Sequence, residues 1–135
     1  SLDILNDRAM DALRQVGLDS FADELAVNLP YGRKRALEIA ATVAMNPELM
    51  LLDEPTQGMG HEDVSLVTEL IKRVSQGRTV VMVEHNMKVV ANIANTISVL
   101  QRGEVIAEGP YDQVSKNPQV MEAYMGTADS ELQGH

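Results

Sequence analysis

The chain has 135 residues, a formal charge of −9 at neutral pH, 44% apolar residues and no cysteine. A chain of this length supports one domain that buries roughly two thirds of its unfolded surface. The missing cysteines exclude disulfides and thiolate metal sites, which is compatible with a reducing cytoplasm. An acidic balance with only 3% aromatic residues opposes a phosphate-backbone footprint and base stacking, so no nucleic acid is expected as a partner. No apolar run approaches the roughly twenty residues needed to span a bilayer, which predicts a soluble chain able to dock on a membrane protein.

In chain order, Leu2, Leu5, Ala9, Leu13 and Val16 recur at helical spacing and Gly17 follows where helices commonly end. Residues 18–30 have poor periodicity and suggest a short helix and a turn. Residues 31–45 are good helix formers, with Ala36, Leu37, Ala40, Ala41 and Ala44 for close packing, and Asn46-Pro47 stops them. The run Leu49-Met50-Leu51-Leu52, closed by Asp53-Glu54-Pro55, reads as a strand buried on both faces that delivers two acids to its C-terminal edge. A helix follows, with Glu62-Asp63 near its positive end and a stripe of Val64, Val67, Leu70, Ile71 and Val74. Residues 79–83 form a second strand, 87–94 a third helix, and 96–101 with 104–108 a hairpin turning at Arg102-Gly103. Two short helices, 111–115 and 118–124, precede a polar end at 127–135. Two consecutive β-helix-β crossovers predict a parallel sheet with an antiparallel hairpin at its edge.

Three places can carry chemistry. Asp53-Glu54 at a strand end suits phosphoryl hydrolysis, one carboxylate holding Mg2+ through water and its neighbour orienting or deprotonating the attacking water. By itself the pair also fits a polar strand exit. His85 follows the second strand, and parallel strands bring their C-terminal ends to one edge, so it can face the same crevice and hydrogen-bond a phosphate oxygen and a water. A lone histidine is otherwise an ordinary surface or core residue. Tyr31-Gly32 opens a helix whose outward N–H groups attract phosphate, with Arg33-Lys34-Arg35 adding positive charge. Alone, that stretch is equally a turn before a solvated basic face. Gln57-Gly58-Met59-Gly60 reads as a loop near the same edge.

Taken together, LPYGRKRALEIA, LMLLDEPTQGM and VVMVEHNMKVV, in this order and spacing, resemble the ATP-binding-cassette (ABC) ATPases of transporters over about residues 1–126. The resemblance implies an α/β fold, the C-terminal part of a P-loop NTPase domain, with a mostly parallel sheet, an edge hairpin and part of a helical subdomain. It divides the chain into a helical part at 1–46, a sheet core at 47–108, terminal helices at 109–126 and a flexible tail at 127–135. It assigns Asp53 to Mg2+ through water, Glu54 to catalysis, His85 to the switch position, and Gln57, Gly58, Met59 and Gly60 to the D-loop. Tyr31, Gly32 and Arg33 fall in the signature loop, which reaches the ATP of an opposite subunit. The ending VIAEGPYDQVSKNPQVMEAYMG resembles the subfamily that energises import of branched-chain amino acids and related amides.

The implied cofactors are ATP and Mg2+. The implied partners are a second ABC ATPase subunit, identical or not, and transmembrane permease subunits that hold the protein at the inner face of the cell membrane. Three positions depart from the family: Pro30 stands where Ser is usual, Arg33 where Gln is usual, and Gly60 where the D-loop ends in Asp or Asn. Pro30 can donate neither a hydroxyl nor an amide hydrogen. The 135 residues contain no G-x-x-x-x-G-K-S/T, so the resemblance implies half of a nucleotide-binding domain that alone neither binds ATP tightly nor hydrolyses it. An alternative is a non-catalytic half-cassette acting as a subunit-interaction module. A third reading, an unrelated doubly wound small-ligand binder, requires the motif register to be chance.

Overall fold

The computed structural model describes residues 2–124, and the expected tail at 127–135 lies outside them. The first helix, α1 (Leu2–Gln15), stops at Gly17, whose φ of +72° only glycine adopts without strain. The N–H of Leu18 reaches back to the carbonyl of Leu13 at 2.8 Å and that of Gly17 to Arg14 at 3.1 Å, a Schellman close that satisfies two end carbonyls. Leu18 is buried there. The expected apolar stripe of α1 is corrected: Ala12 and Val16 are buried, whereas Leu2, Leu5 and Ala9 are exposed. Only the C-terminal end of this helix meets a neighbour that can cover it among the described residues.

Two 3-10 turns, Asp19–Phe21 and Ala26–Asn28, fill the stretch where a short helix and a turn were expected. The helix α2 (Tyr31–Val43) buries Gly32, Ala36, Ile39, Ala40 and Val43, small and β-branched residues that let it lie close to its neighbours. It ends before Met45, because Asn46 turns to φ +50° ahead of Pro47. Helix α3 (His61–Val74) buries Val67, Thr68, Leu70, Ile71 and Val74, close to the stripe read from the sequence. The Thr68 hydroxyl donates to the Val64 carbonyl one turn back at 2.6 Å, which removes the cost of burying it.

Strands β1 (Leu49–Asp53) and β2 (Thr79–Val83) pair in parallel with Met50 opposite Val80 and Asp53 opposite Val83. The expectation that β1 is buried on both faces fails. Met50 is 1% exposed, but Leu51, on the other face, is 73% exposed. Helices cover one face; nothing among the described residues covers Leu49, Leu51, Val81 and Val83. Helix α4 (Met87–Ile93) follows, its start capped by Asn86, whose side-chain oxygen accepts from the N–H groups of Lys88 and Val89.

Strands β3 (Ile97–Gln101) and β4 (Glu104–Gly109) form the expected hairpin. Arg102 and Gly103 both have positive φ, +51° and +82°, the pair of left-handed residues that a two-residue turn between twisted strands demands. A one-residue bulge at Ile106 shifts the register between Val99 and Leu100. Helix α5 (Tyr111–Val114) and a helical stretch at 118–124 complete the described chain. The parallel pair and the hairpin are both present, as two two-stranded sheets among the described residues. The described residues divide into two compact units, one ending at Val89 and the other beginning at Val90.

Candidate functional site

The parallel register of β1 and β2 brings Asp53-Glu54 and Glu84-His85 to one edge. The Glu54 N–H continues the ladder by donating to the Val83 carbonyl at 2.7 Å. Glu54 then turns to φ +44°, a left-handed conformation that costs a residue with a Cβ roughly 1–2 kcal/mol. Its carboxylate meets the imidazole: Glu54 Oε1 and His85 Nδ1 are 3.0 Å apart. The Glu54 side chain is 32% exposed and that of His85 71%, so the pair is open to a ligand from solvent. Two of the residues singled out in the sequence, 31 positions apart, are thus in contact.

Asp53 is exposed beside them. It borders a cleft of about 230 Å³ between α2 and β1, with Arg35, Glu38 and Pro55 on its wall. Ligand pockets are typically about 300–1,000 Å³, so Asp53 lies by a depression and not within a nucleotide-sized cavity. No cluster of three or more His, Cys, Asp or Glu residues placed to hold a metal ion occurs among the described residues. Asp53 offers a single exposed carboxylate at the strand edge, a donor of the kind that suits Mg2+.

The loop after β1 is built by backbone bonds from Gln57 N to Glu54 O at 3.1 Å and from Met59 N to Thr56 O at 3.3 Å. Gly58 has φ +76°, which explains a glycine in the middle of this turn. Gly60 is the N-cap of α3 and makes no side-chain capping bond. The Tyr31 hydroxyl donates to the Gln57 carbonyl at 3.3 Å, tying the start of α2 to this loop.

At the start of α2, Pro30 is the N-cap and supplies no side-chain bond, and the first intrahelical bond is Lys34 N to Pro30 O at 2.9 Å. Gly32 has a packing reason of its own: a Cβ there would lie 2.5 Å from Asp63 Oδ1 in the first turn of α3. Arg33 lies apart from the Glu54–His85 pair in its chemistry, its guanidinium stacked 4.5 Å above the ring centroid of Phe21.

Sequence reasoning missed Thr56 and Glu84. The Thr56 hydroxyl donates to Glu84 Oε2 at 2.6 Å, and Glu84 Oε1 accepts from the N–H groups of His85 at 3.1 Å and Asn86 at 3.2 Å. Their pairing spans 28 residues, and no periodicity or motif in the chain signals it. The one local hint is Asn86, a capping residue just before a helical pattern, which marks a tight polar turn after β2.

The ABC transporter family matches residues 4–57, and the family of branched-chain amino acid ATP-binding cassette transporters matches residues 104–130. The chain belongs to the ABC transporter ATPases. It is 39% identical over 124 residues to the high-affinity branched-chain amino acid transport ATP-binding protein LivG of Escherichia coli strain K12, covering 90% of this chain and 49% of that protein. The corresponding protein BraF of Pseudomonas aeruginosa is 36% identical over 118 residues, covering 86% and 46%.

Among solved structures, the ADP conformation of MJ1267, an ATP-binding cassette of an ABC transporter, superposes with a TM-score of 0.80 at 26% identity, covering 89% of this chain and 49% of that one. CbiO1 from Clostridium perfringens, part of the CbiONQ transporter complex, gives 0.78 at 26% identity over 91% and 50%. The chain spans about half the length of the curated relatives it matches. No helix among the described residues is long and apolar enough to cross a membrane.

Proposed function

We propose that these residues are the signature-to-switch portion of an ATP-binding subunit that couples ATP hydrolysis to import of branched-chain amino acids or related solutes. The observation that carries the hydrolytic part is the 3.0 Å contact between Glu54 Oε1 and His85 Nδ1 at the shared strand edge. The solute rests on the transport named for LivG and BraF. Residues 1–46 then belong to the helical subdomain, 47–108 to the sheet core and 109–126 to the terminal helices.

When bound, ATP and Mg2+ supply the transferable phosphoryl group and the neutralisation of its charge. Asp53 would hold the metal through water. Glu54 orients the attacking water and accepts its proton on the carboxylate. The contact with Glu54 engages Nδ1 of His85 and leaves Nε2 for a hydrogen bond to the water or to a phosphate oxygen. Tyr31, Gly32 and Arg33 face the nucleotide of an opposite subunit, Gln57 to Gly60 line the subunit boundary, and permease subunits hold the assembly at the inner membrane face.

In the whole protein, Glu54→Gln is expected to lower ATP hydrolysis by roughly 10²-fold or more while ATP binding persists, and to abolish uptake of a labelled branched-chain amino acid. Hydrolysis within a few-fold of wild type rejects the reading. The isolated chain is expected to show no stoichiometric micromolar ATP binding in calorimetry. A second reading, a non-catalytic interaction module, is favoured by the uncovered face of Leu49, Leu51, Val81 and Val83; assembly with normal transport in the Glu54→Gln protein would support it.

A further inference from the structure

Glu84 sits one residue before the switch histidine and makes more hydrogen bonds than any role assigned so far requires. Its two carboxylate oxygens point in different directions. Oε2 accepts the Thr56 hydroxyl at 2.6 Å and, more weakly, the Thr56 N–H at 3.4 Å; Oε1 accepts the His85 and Asn86 N–H groups at 3.1 and 3.2 Å. Thr56 is buried and Glu84 half-buried, so the bonds to Thr56 and to the Asn86 N–H are partly shielded from competing water, whereas the bond to the His85 N–H is exposed. The carboxylate therefore ties the loop that follows β1 to the loop that follows β2, two residues beyond Glu54 on one side and at the backbone of His85 on the other.

We propose that Glu84 is a positioning residue for the Glu54–His85 pair, with Thr56 as its obligatory partner. The inference rests on the reading of that pair as hydrolytic. Glu54 leaves its strand in a left-handed conformation, and the His85 side chain is 71% exposed. An imidazole this exposed samples several rotamers unless its backbone and its partner are both held. Glu84 supplies the backbone restraint on His85. Through Thr56 it fixes the turn that returns to Glu54 by the bond from Gln57 N to Glu54 O at 3.1 Å. The same turn receives the Tyr31 hydroxyl at Gln57 O, so the clamp also joins the start of α2 to the hydrolytic edge.

The chemistry of the clamp sets the test. Glutamine at 84 can keep its carbonyl oxygen on the His85 and Asn86 N–H groups while its amide donates to a reoriented Thr56 hydroxyl, whereas alanine loses both arms. In the whole cassette protein, Glu84→Ala and Thr56→Val are each expected to lower kcat by about 10- to 100-fold with KM for ATP changed less than threefold. Glu84→Gln and Thr56→Ser are expected to stay within about threefold of wild type. The Glu84→Ala, Thr56→Val double variant is expected to be no slower than the slower single variant, since both remove one device.

A fall in melting temperature with kcat unchanged would show a merely structural turn and overturn the proposal; so would additive losses in the double variant. If Glu84→Ala yields no folded protein, Thr56→Val and its serine rescue carry the same test. Glu54→Gln measured alongside separates the two failures. Loss in Glu54→Gln with full kcat in the clamp variants overturns only the positioning role, whereas full activity in Glu54→Gln overturns the hydrolytic reading itself.

Discussion

The C-terminal edge of the β1–β2 pair and the face of the same strands that carries Leu49, Leu51, Val81 and Val83 differ in what they still need. At the edge, Glu54, Thr56, Glu84 and His85 satisfy one another through bonds of 2.6–3.1 Å. On the face, four apolar residues have no cover among the described residues. Hydrogen bonding closes over a few ångströms and is complete once two strands are in register. Burial needs a second layer, and each Leu or Val so covered would contribute about 1.5–3 kcal/mol. A polar constellation can therefore be fully formed on a sheet whose apolar requirement is only half met.

Adjacent residues on β1 give the sharpest way to break this contrast. Met50→Ala, on the covered face, is expected to destabilise the chain by about 2–5 kcal/mol in denaturant melts, whereas Leu51→Ala is expected to stay within about 0.5 kcal/mol. Equal costs would mean that the face of Leu51 is covered in solution, for instance by a second copy, and light scattering would then report a mass above that of a monomer. At the edge, His85→Ala in the whole protein is expected to lower kcat by about 10²-fold, equivalent to about 2.7 kcal/mol. The exposed ring predicts an unchanged melting temperature, and a large shift would move His85 from chemistry to structure.

A smaller effect is expected at Gly60, where an added Cβ would meet no atom within 4 Å beyond its chain neighbours. Gly60→Asp adds a capping carboxylate to α3 and should stabilise the chain by a few tenths of a kcal/mol. A loss of stability there would show that the loop between Glu54 and α3 needs the freedom of glycine at its end.

Much of the fold is legible locally because its signals are local. Gly17 predicts its helix end through a left-handed close, Arg102-Gly103 predicts a two-residue turn, and the 3.6-residue period of Val67, Leu70, Ile71 and Val74 predicts the buried side of α3. The periodicity of α1 misleads for the same reason: Leu2, Leu5 and Ala9 are patterned for burial, and a pattern cannot say whether a neighbour arrives. Strand ends and parallel topology already place Asp53-Glu54 and His85 at one edge, where Glu54 and His85 meet. The close approach of Asp63 to Gly32 and the link from Thr56 to Glu84 were not legible in the sequence.

Residue order alone determined the elements, the acid pair at a strand end, the histidine after the next strand and the family resemblance those motifs carry. Each depends on steric and hydrogen-bonding preferences within a few residues. Tertiary structure decided which residues touch: Glu54 with His85, Thr56 with Glu84, Gly32 against Asp63, and helices against Met50 but not Leu51. Those contacts join positions up to 31 residues apart, and only the register of one strand on another, set by what both can bury together, brings such distant side chains within bonding distance.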